Sequence, residues 1–148
     1  MKYFFALLFL TTCTLSYGQG NKTVSWTFES QKTGNNEYTI YLNAKVQDGW
    51  YVYSQYLESD DGPVRTEIVL DQNEALSLEG KSTEEGHKIE GFDKLFEMNI
   101  TKFKKQLKIA QKVKTTGPTT IKGYVTFMTC NDEQCLPPHD VTFELKLN

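Results

Sequence analysis

Residues 121–147 read IKGYVTFMTCNDEQCLPPHDVTFELKL, and this stretch decides the fold. Apolar side chains recur at every second position on both sides of a short polar segment, at Ile121, Val125 and Phe127 before it and at Val141, Phe143, Leu145 and Leu147 after it. A period of two is typical of β-strands with one buried face. We therefore predict two adjacent antiparallel strands, whose connection holds Cys130 and Cys135, followed by Pro137 and Pro138.

The same alternation occurs elsewhere along the chain, over residues 38–46 and, in weaker form, over residues 107–113. Shorter strand candidates lie at residues 24–28, 50–53, 66–70 and 95–100. Turn signals rich in glycine, asparagine, aspartate and proline separate these segments. Roughly seven to nine short strands in a chain of this length predict an all-β fold, an antiparallel β-sandwich.

Residues 74–94 differ from the rest, because charges and glycines dominate there and apolar side chains are few. We interpret this segment as a long surface loop, a kind of connection that often carries function on a rigid β scaffold. Phe92 is the one aromatic side chain in it. A lone aromatic in a polar loop must bury itself somewhere, so Phe92 is a candidate to cover a reactive site.

Residues 1–18 have the layout of a secretory signal peptide: Lys2, then a short apolar run, then small and polar residues. We predict cleavage after residue 18, which leaves residues 19–148 as a single exported domain in the periplasm. The alternative is a lipoprotein signal that ends at Cys13. No later segment approaches the about 20 apolar residues that a membrane-spanning helix needs, so we expect no membrane span.

The charge balance is mildly acidic, with 16 basic and 19 acidic side chains and a net charge of −3. Nucleic acid and anionic membrane surfaces both attract basic proteins, so we expect neither as a partner. One group of basic residues does cluster, at Lys102, Lys104, Lys105 and Lys108. These lysines alternate with apolar residues, so we interpret them as the solvated face of a strand.

Cys130 and Cys135 allow more than one function in an exported protein. A disulfide between them would close a short loop and stabilise the fold by about 2 kcal/mol, a modest amount for a domain of this size. A redox-active pair would instead exchange electrons with other thiol proteins. The residues alone leave the structural staple and the redox pair open as alternatives.

A metal site would need ligands beyond the two cysteines, and His87 and His139 are the candidates. The cysteine spacing differs from the two-residue gap that is usual in zinc sites, so we expect no metal and no other cofactor. Serine and histidine are too scattered to indicate a hydrolase.

Three stretches carry a family resemblance. The first combines VTFMTC at 125–130 with CLPP at 135–138, the second is DGWYVY at 48–53, and the third covers residues 87–96. In order and spacing they resemble the cysteine strand with its double-proline exit, the Asp-Gly-aromatic-Tyr-x-Tyr strand and the cap loop of the N-terminal periplasmic domain of the thiol:disulfide interchange protein DsbD. The resemblance extends over nearly all of residues 19–148.

The resemblance implies an immunoglobulin-like β-sandwich and a role for each site residue. By position, Cys135 matches the cysteine that forms mixed disulfides, and Cys130 matches the one that resolves them. Tyr51 and Tyr53 match tyrosines beside the pair. Phe92 is the candidate for the aromatic of the cap that shields the pair from stray oxidants.

The resemblance also implies partners: thioredoxin-like periplasmic proteins as exchange partners and a membrane thiol reductase as a source of electrons. Members of this family pass electrons to disulfide isomerases and to cytochrome c maturation factors, which would make this protein a thiol–disulfide interchange component. We expect it to act as a monomer. The alternative function is a non-catalytic immunoglobulin-like binding domain, in which the disulfide is only a local staple.

Overall fold

The computed structural model describes residues 23–148, which form eight β-strands. The strands in chain order are β1 Val24–Gly34, β2 Glu37–Val46, β3 Tyr51–Tyr53, β4 Glu67–Leu70, β5 Leu76–Asp93, β6 Met98–Thr115, β7 Thr119–Cys130 and β8 Cys135–Leu147. Every pairing between them is antiparallel. The all-β prediction is therefore confirmed for the described part of the chain.

The strands form two layers, which β3 connects. One layer has the order β1-β2-β6-β5, the other consists of β4, β7 and β8, and β3 pairs with both β6 and β7. Aromatic side chains of β1 pack across the space between the layers. The Trp26 ring centroid lies 5.6 Å from that of Phe127, and the Phe28 centroid lies 4.7 Å from that of Phe143. This arrangement confirms the predicted antiparallel β-sandwich.

The main core lies between the two layers and is built from the predicted alternating faces. In β2 the apolar face from Tyr38 to Val46 is buried, while Lys45 on the other face is exposed. The buried apolar side chains of this core are Val24, Tyr38, Ile40, Leu42, Ala44, Val46, Val52, Phe103, Leu107, Ile109, Val113, Ile121, Val125, Phe127, Phe143 and Leu147. Each large side chain among them contributes about 1.5–3 kcal/mol by leaving water.

The prediction of a long loop over residues 74–94 is wrong, because Leu76–Asp93 forms β5. This strand pairs with β6 along nearly its whole length, and the partner residues shift near Gly80 and after Gly86. It lies at the edge of its layer and most of its side chains are exposed, so no apolar alternation marks it in the sequence. The segment predicted at residues 107–113 and residues 98–100 of the segment predicted at 95–100 belong to the single strand β6, while residues 95–97 lie in the turn before it.

Gly123 lies where β7 passes closest to β4, and we predict that Gly123→Ala destabilises the fold. Gly123 is paired with Leu70, and an added Cβ would overlap the carbonyl oxygen of Val69. Because that oxygen belongs to the backbone, the strands must move apart, which we expect to cost about 1–3 kcal/mol. Urea unfolding checks the value, and Gly49→Ala cannot serve as its control since Gly49 has a positive φ of 84°. Gly117→Ala, which meets no atom within 4 Å, is the matched control and is expected to change stability little.

Two further predictions concern the N-terminal signal segment and membrane-spanning helices. The predicted signal peptide, its cleavage after residue 18 and the alternative anchor at Cys13 all lie outside the described residues. Within residues 23–148, the structure contains no helix with the length and hydropathy needed to cross a membrane.

Candidate functional site

The two cysteines lie opposite each other at the tip of the β7–β8 hairpin. Cys130 is the last residue of β7 and Cys135 the first of β8, and they are paired in register. A disulfide joins them, with their Cα atoms 4.0 Å apart. Cys130 is fully buried, whereas Cys135 is half-buried. The two sulfur-bearing residues therefore differ in how easily another molecule can reach them.

The connection between the cysteines is a tight polar turn, which Asn131 organises. Its side-chain Oδ1 accepts hydrogen bonds from the backbone N of Glu133 at 2.9 Å and of Gln134 at 2.8 Å. Its backbone N donates to the Gln134 carbonyl at 2.9 Å. Asparagine is favoured in turns because its side chain bonds to the backbone a few residues on. These bonds bring the two strand ends together, and the disulfide with them.

The double proline that follows Cys135 lies in an irregularity of the β7–β8 pairing. Thr129 pairs with Leu136, but the next pair is Phe127 with His139, so one residue of β7 faces two of β8. Proline has no amide hydrogen to donate and is therefore found at strand edges and bulges. The bulge separates the tip of the hairpin, which carries the disulfide, from its regular part.

Tyr51 and Tyr53 form a wall beside the disulfide. They extend to the same side of β3, while Val52 between them belongs to the main core. Tyr51 pairs with Cys130 in register, and its hydroxyl donates a hydrogen bond of 2.8 Å to the Asn131 carbonyl. The two tyrosine rings meet edge to face with centroids 5.8 Å apart. One tyrosine thus contacts the other and also fixes the turn between the cysteines.

Both tyrosines are held in the neutral form. Burial raises the pKa of Tyr53 well above its ordinary value, and the neighbouring Tyr51 raises it further. Burial also raises the pKa of Tyr51, although the positive charge of Lys102 partly opposes this. The Tyr53 hydroxyl has no hydrogen-bond partner within residues 23–148. The two tyrosine side chains beside the disulfide are therefore uncharged near neutral pH.

These residues belong to a second apolar cluster, separate from the main core, which we call the disulfide cluster. Its buried members are Tyr51, Tyr53, Ile100 and Cys130, and the partly buried side chains packed against them are Leu57, Phe96, Met98, Met128 and Cys135. The cluster gathers side chains from β3, β6, β7, β8 and two connections. A disulfide in such surroundings is shielded from water on the side of Cys130.

The turn between β5 and β6, residues 94–97, packs against this cluster through Phe96, and we call it the cap turn. Its Phe96 ring meets the Tyr53 ring edge to face at 5.9 Å. Asp93 precedes the turn, and its Oδ1 accepts a hydrogen bond of 2.9 Å from the Leu95 backbone N. Glu97 ends the turn with a positive φ of 54°. The cap turn therefore holds one aromatic ring against the tyrosine wall.

Lys102 and Asp93 form a largely buried ion pair at the base of the cap turn. The Lys102 Nζ lies 2.7 Å from Asp93 Oδ2 and 3.8 Å from the centre of the Tyr51 ring. Burial alone would raise the pKa of Asp93, but hydrogen bonds from Lys102 and from the Leu95 backbone outweigh it and leave the pKa below its ordinary value. Asp93 is thus charged near neutral pH and bound to a cation that also contacts the tyrosine wall.

The structure brings four of the five predicted site residues together: Tyr51, Tyr53, Cys130 and Cys135 all belong to the disulfide cluster. Phe92 does not, and its predicted role as the shielding aromatic needs correction. It lies on β5, where it pairs with Asn99 of β6, and its side chain is 66% exposed. Since side chains alternate along a strand, the buried neighbour Asp93 faces inward and Phe92 faces out.

Sequence reasoning missed two residues of the site, Phe96 and Lys102. Residue 96 falls both in the stretch 87–96 that resembles the cap loop and in the strand predicted at 95–100, but the sequence gives it no role, and Lys102 is predicted to lie on a solvated strand face. Asp93 is a residue type that often begins a turn, but this signal places a turn at residues 94–97 only when β5 is known to precede it. Nothing in the sequence pattern distinguishes Lys102 from the exposed Lys105.

The two histidines that are candidate metal ligands lie on different strands, β5 and β8. His87 is on β5, paired with Lys104, and the His139 ring lies edge-on to the Phe127 ring at 6.1 Å. Both sulfurs are engaged in the disulfide. The part of the chain from residue 23 onward contains no group of three or more histidine, cysteine, aspartate or glutamate side chains arranged to bind a metal ion.

Solved structures with a similar fold include two N-terminal domains of bacterial proteins. The N-terminal periplasmic domain of ScsB from Proteus mirabilis matches with a TM-score of 0.63 and 19% identity, over 84% of this chain and 47% of that one. The N-terminal domain of DsbD from Neisseria meningitidis, in the reduced form, matches with a TM-score of 0.56 and 19% identity, over 83% of this chain and 86% of that one. The chain thus spans about half the length of the ScsB chain. The likeness confirms the predicted immunoglobulin-like fold.

Sequence comparison gives the family. No curated protein sequence matches the chain. A family model described as thiol:disulfide interchange protein DsbD, N-terminal, matches residues 21–147. Because this match covers nearly the whole chain, the protein belongs to the family of DsbD N-terminal domains.

Proposed function

We propose that this protein is a thiol–disulfide exchange module, which relays reducing equivalents through Cys130 and Cys135 to thiol proteins of the periplasm. The observation that supports this proposal is the unequal exposure of the two cysteines, with Cys130 fully buried and Cys135 half-buried. When only one of the two cysteines is accessible, a thiolate of another protein can attack the disulfide at that cysteine alone. That asymmetry suits a relay, in which one cysteine binds the partner and the other releases it.

The reaction follows from this asymmetry. In the reduced pair, a Cys135 thiolate attacks one sulfur of a partner disulfide, which forms a mixed disulfide and releases the other partner sulfur as a thiolate. The Cys130 thiolate then attacks the Cys135 sulfur. The Cys130–Cys135 disulfide forms again, and the partner leaves with both sulfurs reduced, having gained two electrons. A dithiol donor of the thioredoxin type returns the pair to the reduced state by the reverse exchange.

The surroundings of the pair support the division of roles. The neutral wall of Tyr51 and Tyr53 covers Cys130 and places no negative charge beside the thiolate that forms there. Phe96, rather than Phe92, is the aromatic that we assign to shielding, because it packs on Tyr53 at the edge of the cluster. A partner that docks at this end of the molecule would reach Cys135 first, because Cys130 is fully buried.

We infer the location and the partners of the protein from its family. The domain of ScsB is described as periplasmic, and a periplasmic location suits a pair that cycles between disulfide and dithiol. We propose thioredoxin-like periplasmic proteins as acceptors and a membrane thiol reductase as donor. Cytochrome c maturation is one pathway that such acceptors serve in this family.

Trapping of the mixed disulfide tests the proposal. With Cys13→Ser in every variant, Cys130→Ala removes the resolving thiol, so a complex through Cys135 should accumulate when the variant meets an oxidised thioredoxin-like protein. Non-reducing electrophoresis and mass spectrometry of the linked peptides detect it, and dithiothreitol should release it. Cys135→Ala is the matched control and should trap far less, because the remaining Cys130 is fully buried.

The alternative function, a binding domain with a stapling disulfide, predicts a different outcome. In that case neither variant traps a partner, and the reduction potential of the pair lies below about −300 mV, as in structural disulfides that resist reduction. Equal trapping by both variants would contradict the assigned roles of Cys130 and Cys135 while leaving exchange itself in place.

A further inference from the structure

The ion pair of Lys102 and Asp93 is unusual in its burial. The Lys102 side chain is 16% exposed and the Asp93 side chain 4% exposed. Lysine and aspartate are rarely this buried unless they are paired, and the desolvation of two charges offsets much of their attraction. A pair of this kind adds little to the overall stability of a fold compared with apolar side chains of the same size. Its position suggests a more specific role.

Lys102 contacts both sides of the disulfide cluster at once. Toward the cap turn, its Nζ lies 2.7 Å from Asp93, whose other carboxylate oxygen accepts the hydrogen bond of the Leu95 backbone N. Toward the wall, the same Nζ lies 3.8 Å from the centre of the Tyr51 ring. Tyr51 in turn donates to the carbonyl of Asn131, between the two cysteines. One ammonium group therefore connects the base of the cap turn with the tyrosine that fixes the cysteine turn.

We infer that Lys102 is a positioning residue that holds the cap turn closed against the disulfide cluster, through Asp93 on one side and Tyr51 on the other. When the cap turn moves away, Asp93 moves with it and the ion pair breaks. A largely desolvated ammonium would then lose its counter-charge, which makes opening costly. The pair thus sets how often the disulfide cluster opens at the cap turn. The meaning of this control for electron transfer rests on the proposed exchange function, but closure of the cap turn does not.

Substitution of Lys102 tests the inference in the full chain. In Lys102→Met, a side chain of similar length fills the space without the charge, and the Asp93 carboxylate loses its counter-charge. We expect the disulfide to be reduced roughly five to thirty times faster by the small phosphine TCEP, since local opening then costs less. Hydrogen exchange at the backbone amides of residues 94–97 should accelerate by a similar factor. Lys102→Arg, which keeps the charge and can contact both groups, should restore rates close to those of the unchanged protein.

Lys104→Met is the matched control. Its ammonium is also near Tyr51, 6.0 Å from the ring centre, but the Lys104 side chain forms no ion pair with any residue from 23 to 148. The loss of this charge should leave both rates unchanged. Equal rates in Lys102→Met and Lys104→Met would overturn the inference, because general electrostatics would then explain the effect.

A double variant separates a shared contact from two independent ones. Asp93→Asn keeps an oxygen for the Leu95 amide but removes the charge, and it should accelerate TCEP reduction as Lys102→Met does. If the two residues act through their mutual contact, the double variant is accelerated by much less than the product of the single effects. A full product would overturn the inference. Should Lys102→Met melt below the assay temperature, Asp93→Asn carries the same test.

The result is independent of the proposed function. TCEP and hydrogen exchange need no protein partner, so they report on the cap turn even if Cys130→Ala traps nothing. Conversely, successful trapping with unchanged rates in Lys102→Met would support exchange and overturn the role of Lys102.

Discussion

Phe96→Ala is expected to speed reduction of the Cys130–Cys135 disulfide by TCEP roughly ten- to a hundredfold, while the melting temperature changes little. The Phe96 ring lies at the edge of the disulfide cluster, where it packs on Tyr53, and it belongs to a turn rather than to the main core. Its removal takes away about 1.4–2.8 kcal/mol from the free energy that opposes local opening of the cap turn. Global unfolding depends instead on the core between the two layers. Reduction kinetics at several TCEP concentrations, with thermal melts of the oxidised protein, measure the two effects separately.

Phe92→Ala is the matched control for this prediction. Phe92 lies on the same hairpin and has the same side chain, but it is 66% exposed and outside the disulfide cluster. Its removal should leave the reduction rate unchanged. Fast reduction in Phe92→Ala together with a normal rate in Phe96→Ala would reverse this assignment and restore Phe92 as the shielding residue.

The elements that the sequence predicted well are those with one buried face. In β2, β7 and β8 a two-residue period distinguishes the core side from the solvent side, and burial follows that period closely. β5 shows the opposite case. Its side chains are exposed along most of its length, so the hydrophobic effect leaves no pattern, and the strand exists because β6 supplies its backbone hydrogen bonds. A sequence pattern reports burial, and an edge strand with little burial resembles a loop.

The candidate site likewise contains some residues that could be predicted from the sequence and others that could not. The cysteine turn could be predicted, because two strands joined by a short connection must bring their ends together. The tyrosines at positions 51 and 53 could be placed on one side of β3 by their spacing, although all three residues of β3 are buried and no polar face marks the side of the site. The cap turn could not be placed, since it depends on the length of β5. The contact of Lys102 with Asp93 joins two strands and is visible only after folding.

The two layers, rather than the disulfide, are expected to carry the stability of the fold, and Phe127→Ala should show this. Phe127 is fully buried between Trp26 and the edge of His139, so its truncation leaves a cavity and should cost about 3–5 kcal/mol. Reduction of the disulfide in the unchanged protein opens a loop of sequence separation 5 and should cost only about 2 kcal/mol. Urea unfolding of the oxidised protein, the reduced protein and the variant gives all three values.

Whether disulfide reduction or Phe127→Ala costs more stability bears directly on function. A disulfide that is opened and closed in every exchange cycle must leave the domain folded in both states, which a loss of about 2 kcal/mol permits for a domain of ordinary stability. If reduction instead destabilised the protein more than Phe127→Ala, the Cys130–Cys135 disulfide would be a structural bond that the fold needs for its stability. The binding-domain alternative would then be favoured over the relay. A small cost of reduction, combined with a large cost of core truncation, is the result that an exchange module requires.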